Sequence, residues 1–183
     1  SLVVDQRYKL ILEGLLNTML IALGALVIGL FFGSIISLIR YTYRQRKKLK
    51  LLNKLCIWYV TIIRGTPVLL QLMIIYYIIF KTSDINPVLV GIMAFGLNSA
   101  AYSSEILRTG FESVDSGQME AGLSLGLNYF QTLWYVIIPQ AIKTSLPAMG
   151  NEFITLIKET SVAGYIGIME LTRASDIIAS RTY

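Results

Sequence analysis

Two carboxylates in the last third of the chain are the side chains best suited to bind a ligand. Glu152 and Glu159 are seven residues apart, two turns of an α-helix, so a helix carries both on one face. They belong to a largely apolar stretch, and ionisable residues at membrane depth mark a functional site by default. A positively charged ligand suits such a pair, because its charge offsets the desolvation of the carboxylates. For Glu159, pairing with Lys158 at the membrane surface is the alternative.

Further polar residues extend this candidate binding site. Pro147 is expected to interrupt its helix just before Glu152, because proline removes a backbone hydrogen bond. Broken helices often expose backbone groups near the substrate sites of transporters. Polar side chains facing this break are predicted to line a pathway, although hydrogen bonding between helices is the alternative. The additional candidate binding residues are Asn98, Tyr102 and Asn151.

Arg64 is an arginine inside a predicted membrane span, where a charge needs a partner. Glu105, at the inner end of the next span, is the predicted counter-charge. The two are expected to form a gate or a packing pair. The alternative is that Arg64 extends its guanidinium group to the lipid headgroups.

Several kinds of active site are excluded by composition. The chain has no histidine and one cysteine, Cys56, so it lacks the commonest metal ligand and general base and cannot form an internal disulfide. No Gly-Lys pair is present, which excludes a phosphate-binding P-loop. We therefore expect a protein that is not an enzyme and holds no cofactor or metal of its own. If ATP drives it, another chain binds the nucleotide.

Hydropathy predicts an all-α integral membrane protein in a single domain, residues 1–183. Apolar residues make up 55% of the sequence and charged residues 15%, against about a quarter charged in average soluble domains. Residues 14–39 and 85–104 carry no charge, and each stretch exceeds or matches the ~20 residues that cross a bilayer. Four spans are expected in total, at about residues 14–39, 55–80, 88–107 and 133–157.

The basic residues predict how these spans are oriented. Residues 40–54 hold seven of the sixteen Lys and Arg residues and no acid. A basic run directly after a span is typical of a cytoplasmic loop, a better explanation than nucleic-acid binding. The N-terminus is then outside. Thr66 and Pro67 indicate that regular helix restarts within the second span.

A polar, glycine-containing segment at 115–130 separates the third and fourth predicted spans. Asp115 and Gln118 are spaced for a capping box that begins a helix, and Gly126 is suited to the left-handed conformation that ends one. Asn128 with Gln131 then caps a second helix. The segment is therefore predicted to be a helical hairpin. Small residues at 121, 122 and 126 would let a partner surface approach its backbone closely.

This segment resembles the signature of ATP-binding cassette (ABC) importer permeases. Glu120-Ala121-Gly122, then Gly126, then Val136-x-Ile138-Pro139 is similar to their Glu-Ala-Ala, three residues, Gly, nine residues, Ile-x-Leu-Pro motif. Three positions depart modestly from the motif: Gly122 stands for Ala, Val136 for Ile and Ile138 for Leu. The likeness extends over nearly the whole chain. The chain resembles the polar amino acid branch of the family at Tyr102, Glu105, Arg108, Gly117-Gln118, Pro139-Gln140-Ala141 and Asn151-Glu152. Lys158-Glu159-Thr160-Ser161 is also similar to a family feature, which adds Ser161 to the candidate binding residues. The resemblance assigns coupling to an ATPase to Gln118, Glu120, Ala121, Gly122, Gly126 and Pro139.

Membership of this family implies a mechanism and a set of partners. The chain would be one half of a permease dimer, identical or homologous, in a bacterial cell membrane, with its hairpin cytoplasmic and seated on an ABC ATPase that binds ATP and Mg. An extracellular or periplasmic binding protein would deliver a polar amino acid, with cationic amino acids and cystine among the candidates. The family usually has a fifth helix, which this sequence is expected to lack at its C-terminus. An ion- or proton-coupled secondary transporter and a channel subunit are the alternatives.

Overall fold

The computed structural model describes residues 7–81 and 84–180, and every regular element in these ranges is a helix. The helices are α1 (Arg7–Arg46), α2 (Lys50–Gly65), α3 (Val68–Ile74), α4 (Pro87–Ser113), α5 (Gly117–Ser124), α6 (Tyr129–Thr132), α7 (Ile138–Glu159) and α8 (Leu171–Ser180). A π-helical turn, Ile75–Ile79, follows α3, and a second, Leu133–Ile137, joins α6 to α7. A 3-10 helix, Thr160–Ile166, follows α7.

The centre of the bundle is the contact between α1 and α4, which run parallel. Glycines make this contact close. A Cβ atom at Gly24 would lie 2.8 Å from Cγ2 of Ile92, and one at Gly29 would lie 2.6 Å from Oγ of Ser99. A Cβ atom at Gly33 would likewise lie 2.8 Å from the Cβ atom of Ser103, further along α4. Small residues let helix backbones approach where no apolar side chain can fit. Gly29 and Gly33 therefore serve packing within the chain.

Helix α7 lies antiparallel to α4 and continues through Pro147. The expected interruption at Pro147 is wrong, because residues 138–159 form one helix around it. Irregular backbone occurs earlier, in the π-helical turn Leu133–Ile137, just before Pro139 in the first turn of α7. Proline is tolerated at a helix start because the N–H it lacks has no intrahelical partner there.

The predicted second span is sharply bent. Helices α2 and α3 meet at 106° across residues 65–67, which we call the elbow. Thr66 and Pro67 are both extended, and Pro67 immediately precedes α3, so the predicted helix restart is confirmed. The basic segment 40–54 is mostly helical. Only residues 47–49 turn the chain from α1 into α2, with Lys47 and Leu49 in the left-handed region.

Two apolar clusters hold the helices together. One contains buried side chains from α1, α3, α4 and α7, among them Ile21, Leu72, Phe95 and Leu156. The other lies where α1 and α4 approach the α5–α6 hairpin, and there the Tyr41 and Phe111 rings stack at 5.0 Å between centroids. Each cluster joins helices that are distant in sequence.

The two ends of the bundle differ in composition. The Arg46 guanidinium lies 4.7 Å from the centre of the Tyr129 ring, so the basic end of α1 and the hairpin share one end. At the other end α8 packs on the start of α1, where the Asn17 amide donates to Met169 O at 2.8 Å. The sequence predicts a mixed amphipathic segment at residues 162–183, and the structure forms the end of a 3-10 helix and the short helix α8 there, apart from residues 181–183, which lie outside the described ranges. The sequence also predicts an interfacial segment at residues 5–13 and a short external loop at residues 81–87, and residues 5–6 and 82–83 of these segments lie outside the described ranges.

Length and composition alone identify fewer spans than expected. In the described part of the chain, α1 is the one helix that passes such a test by itself, and Lys50–Gly65 with Val68–Ile79 adds a second if the bent pair is one broken span. The count of four spans stays a prediction.

Candidate functional site

Glu152 of α7 is buried among the helices, with 8% of its surface exposed. The Ser99 hydroxyl of α4 donates to its Oε1 at 2.8 Å. A carboxylate away from water needs charge-assisted or several neutral donors to offset its lost hydration. Among the described residues, this neutral hydroxyl is the donor to Glu152, so the carboxylate keeps capacity for a positively charged ligand.

Asn98 of α4 lies next to Ser99 but faces another helix. Its Nδ2 donates to Oε1 of Gln71 of α3 at 3.0 Å. Both Asn98 and Ser99 are buried. Successive residues of a helix point about 100° apart, so α4 presents one polar group toward α7 and another toward α3. The structure joins Glu152 to Ser99 and Asn98 to Gln71.

The other predicted binding residues are more dispersed. Asn151 is exposed, and Glu159 lies half-buried two turns beyond Glu152. Ser161 is exposed on the 3-10 helix and lines a separate cavity of about 450 Å³ with Glu170 and Arg173. Tyr102 lies under the Arg64 guanidinium, 5.2 Å from the ring centre to Cζ. These positions extend along the bundle, so the predicted set does not form one compact pocket.

Glu105 is the centre of a network of ionic side chains in the C-terminal half of α4. Arg40 hydrogen-bonds its Oε1, and Arg108 donates to Oε2 through Nε at 3.0 Å and Nη2 at 2.9 Å. The predicted partner Arg64 is also present, with its Nη1 at 3.8 Å from Oε2. Arg64 is thus the most distant of three arginines, and its side chain is 43% exposed. Helices α1, α2 and α4 all contribute to this network.

The caps of the α5–α6 hairpin match the sequence prediction only in part. Gly126 has φ of +85°, and Asn128 and Gln131 form a reciprocal capping box with both hydrogen bonds at 2.9 Å. Both features confirm the prediction. The capping box expected at Asp115 and Gln118 is absent, because Asp115 instead accepts from the Gly117 N–H at 2.7 Å in a tight turn.

Gly122 packs inside the hairpin and not on its outer surface. Gly122 is buried, and a Cβ atom there would collide with the Thr132 side chain of α6. The outward surface instead contains Ala121 with three apolar side chains, Leu123 at 46% exposed, Leu125 at 84% and Phe130 at 68%. Gln118 and Glu120 are exposed on the same short helix. Gln118 also accepts a long hydrogen bond, 3.4 Å, from Gln140 just after Pro139. The hairpin therefore offers a partly apolar surface beyond its own contacts.

Some residues of these sites were missed from sequence. Gln71 is the lone amide in the second predicted span, and this polar interruption is a signal that could have identified it. Arg40 was counted only as part of the basic run, although it is the arginine that binds Glu105 across the α1–α4 contact. Leu125 and Phe130 gave no distinct signal, because apolar residues are common throughout this chain.

The chain belongs to the family of binding-protein-dependent transport system inner membrane components, which it matches over residues 29–181. This match confirms the resemblance to ABC importer permeases that the motif in the hairpin segment carries. The chain is accordingly a non-catalytic inner membrane component of an ABC transporter.

Individual relatives agree with this assignment. The "Probable amino-acid permease protein YxeN" of Bacillus subtilis (strain 168) is 36% identical over 177 residues, covering 94% of this chain and 77% of that protein. The L-cystine transport system permease protein TcyB of the same organism is 41% identical over 157 residues, covering 85% and 66%. A crystal structure of an amino acid ABC transporter with histidines superposes with a TM-score of 0.85 at 40% identity, covering 100% of this chain and 83% of that one.

Proposed function

We propose that this chain is the permease subunit of an importer for polar amino acids, in which a separate ATPase subunit binds ATP and Mg. The observation that carries the proposal is the buried Glu152 carboxylate, which accepts one hydrogen bond, from a neutral hydroxyl, among the described residues. An amino acid's ammonium group is a suitable counter-charge for it. The two relatives named for amino-acid and cystine transport, and the similar amino acid transporter structure, support the same substrate class.

The second carboxylate favours substrates with an additional positive group. Glu159 lies two turns from Glu152 on the same helix and is half-buried. Two carboxylates near one pathway repel each other unless a cation lies between or beside them. Cationic amino acids fit this arrangement, and cystine, with two ammonium groups, fits it as well. We propose Asn98, Tyr102, Asn151 and Ser161 as further contacts along the pathway.

The hairpin is the proposed contact with the ATPase. Its outward surface combines the small Ala121 with exposed Leu125 and Phe130, and exposed apolar side chains rimmed by polar residues mark protein interaction sites. Glu120 would bind the ATPase by a charge-assisted hydrogen bond of about 1.5–3 kcal/mol when desolvated. Gln118, Gly122, Gly126 and Pro139 would act by holding the hairpin in shape. ATP-driven closure of two ATPase subunits would then move two hairpins together.

The remaining partners follow from the proposed assembly. A second permease subunit, identical or homologous, would complete the translocation path. A binding protein would deliver the amino acid at the end of the bundle opposite the hairpin, where α8 packs on α1. The segment 40–54 and the hairpin would be cytoplasmic, with the N-terminus outside, in a bacterial inner membrane. Arg64 and Glu105 would form part of the inner gate.

The test is reconstitution of the chain with its ATPase and binding protein in lipid vesicles. Stimulation of ATP hydrolysis is measured with a panel of L-arginine, L-lysine, L-histidine, L-glutamine and L-cystine. We expect at least one of these to stimulate hydrolysis and to accumulate inside the vesicles. Accumulation that requires an ion gradient and no ATP would contradict the proposal.

A further inference from the structure

The elbow between α2 and α3 exposes backbone carbonyls that the helix no longer satisfies. The last carbonyls of any helix lack intrahelical partners, and no water is available to them in the apolar part of a bilayer. Here the Thr66 hydroxyl donates to Ile62 O at 2.9 Å. The Gln71 amide nitrogen donates to Ile63 O at 2.8 Å and lies 3.1 Å from Thr66 O. The Thr66 hydroxyl and the Gln71 side chain of α3 thus satisfy two of the last carbonyls of α2, those of Ile62 and Ile63.

These contacts fix which way the Gln71 amide faces. Carbonyl oxygens only accept hydrogen bonds, so the NH₂ group of Gln71 must be the part that faces Ile63 O and Thr66 O. The Thr66 hydroxyl, at 2.7 Å, is a third acceptor on the same side. The Gln71 oxygen therefore faces the opposite way, toward α4, where it accepts from Asn98 at 3.0 Å.

The orientation of Asn98 follows from that of Gln71. A Gln71 oxygen can accept only from the NH₂ group of Asn98, so the Asn98 side chain has its nitrogen toward α3 and its Oδ1 directed away from Gln71. Among the described residues, no group donates to this oxygen. The next residue, Ser99, donates its hydroxyl to Glu152. Helix α4 is thereby left with an unused acceptor, Asn98 Oδ1, on the residue next to the Ser99 that bonds Glu152.

We infer that Gln71 is a positioning residue for the substrate site. It holds the elbow closed and turns Asn98 so that its carbonyl oxygen, together with the Glu152 carboxylate, accepts from a positively charged group of the substrate. The inference rests on the proposed function and adds to it a residue on α3 that does not itself contact the substrate. The inference also couples the elbow to the substrate site. If α2 moved against α3, the Gln71 amide would lose its carbonyl partners, and Asn98 would be free to rotate.

The test is a double-mutant cycle between Gln71 and Asn98 in the reconstituted complex. The half-saturating concentration of L-arginine, L-glutamine and L-cystine for stimulation of ATP hydrolysis is measured for Gln71→Leu, Asn98→Ala and the double variant. Each single variant should raise the half-saturating concentration of the stimulating amino acid by about tenfold, as expected for the loss of one hydrogen bond to a charged ligand. In the Asn98→Ala background, Gln71→Leu should add less than about twofold, because residues that act as a unit are not additive.

A purely structural role for Gln71 would give a different result. In that case Gln71→Leu would lower the yield of the assembled complex and leave the half-saturating concentration of the complex that does form unchanged, and the inference would be overturned. It would also be overturned if Gln71→Leu changed that concentration by the same factor with and without Asn98, because Gln71 would then not act through Asn98. Copurification of the ATPase reports whether each variant assembles. If Gln71→Leu does not assemble, Gln71→Glu, which fills the same volume but cannot donate to both carbonyls, is measured in the same cycle with the same expected outcomes.

The matched control is Gln45→Leu, the same substitution at an exposed position near the inner end of α1, which should leave the half-saturating concentration unchanged. The cycle also separates the inference from the proposed function. If Asn98→Ala and Glu152→Gln both leave stimulation by every amino acid unchanged, the proposed site itself is wrong. If they impair stimulation and the Gln71 variants do not, only the role of Gln71 is wrong.

Discussion

Glu152 is the residue on which the proposed substrate site depends most. Burial makes its negative charge costly unless a ligand supplies a positive group, and the hydrogen bond from Ser99 is only a partial replacement for water. Removing one partner of such a buried charged contact typically costs about 2–5 kcal/mol, which is roughly thirty-fold or more in affinity.

We therefore expect Glu152→Gln to raise the half-saturating amino acid concentration for ATPase stimulation by at least about thirtyfold. The matched control is Glu13→Gln on the exposed start of α1, which should behave like the parent. Assembly is checked by copurification of the ATPase. A Glu152→Gln variant that transports every amino acid of the panel as well as the parent would show that this acid is structural.

Much of the residue-level assignment was available from sequence, and its errors have a common cause. The candidate acids, Asn98 and the Arg64–Glu105 pair were identified because polar residues are conspicuous in apolar stretches. Which polar side chains meet was not available, since that depends on the rotation of each helix about its axis. Ser99 rather than Asn98 faces Glu152, and Arg40 binds Glu105 more closely than Arg64 does.

Helix packing makes its own prediction at the contact of α1 with α4. Alanine is a better helix former than glycine by about 1 kcal/mol, so Gly→Ala in a helix stabilises where there is room. At Gly29 there is none, because a Cβ atom would lie 2.6 Å from Ser99 Oγ and 3.2 Å from its backbone carbonyl carbon. We expect Gly29→Ala to lower stability by about 1–3 kcal/mol.

The measurement is the thermal unfolding midpoint of the detergent-solubilised chain. Gly150→Ala is the matched control, since no atom beyond its chain neighbours and the nearby backbone of α7 lies within 4 Å of the corresponding Cβ position. Its midpoint should be unchanged or slightly higher. An unchanged midpoint for Gly29→Ala would show that α1 and α4 are less closely packed than the structure has them.

The hairpin supplies a second element-level prediction. Gly122→Trp would disrupt the hairpin itself, because Gly122 packs on Thr132. Ala121 is exposed beside it, so Ala121→Trp should leave the hairpin folded and hold an ATPase away from its surface. We expect normal insertion in the membrane with loss of ATPase copurification or of stimulated hydrolysis. Ala179→Trp, an exposed alanine on α8 at the other end of the bundle, is the control, and full transport by Ala121→Trp would contradict the coupling role.

The ends of helices could be predicted from sequence where a residue has a strong local conformational preference. The hairpin was predicted from glycine and asparagine positions, since these residues have strong local preferences. Pro147 gave the wrong expectation because neighbouring helices can support a proline within a membrane helix. The 106° elbow was predicted only as a helix restart, because Thr66 and Pro67 show where a helix stops but not the direction of the next one.

At the scale of the whole molecule, charge and packing give the bundle two distinct ends. Arg40, Arg44 and Arg46 lie at the end of α1 that meets the hairpin, and α8 covers the opposite end. Basic residues next to spans are retained on the cytoplasmic side during insertion. An ATPase is also cytoplasmic, since ATP is. The basic segment and the proposed ATPase surface therefore agree on one orientation, although they are separate features of the sequence.

Accessibility of single cysteines tests this orientation. In a Cys56→Ser background, a cysteine placed at Lys48 should react with a membrane-impermeant maleimide only after the cytoplasmic side is opened, because residue 48 lies in the turn between α1 and α2. A cysteine at Asp84, an exposed residue just before α4, should react in intact cells. Because α1 and α4 run parallel and α4 starts at Pro87, three residues after residue 84, the two sites must label from opposite faces. Labelling of both from one face would contradict the parallel packing, and the reversed pattern would place the hairpin outside and exclude it as an ATPase contact.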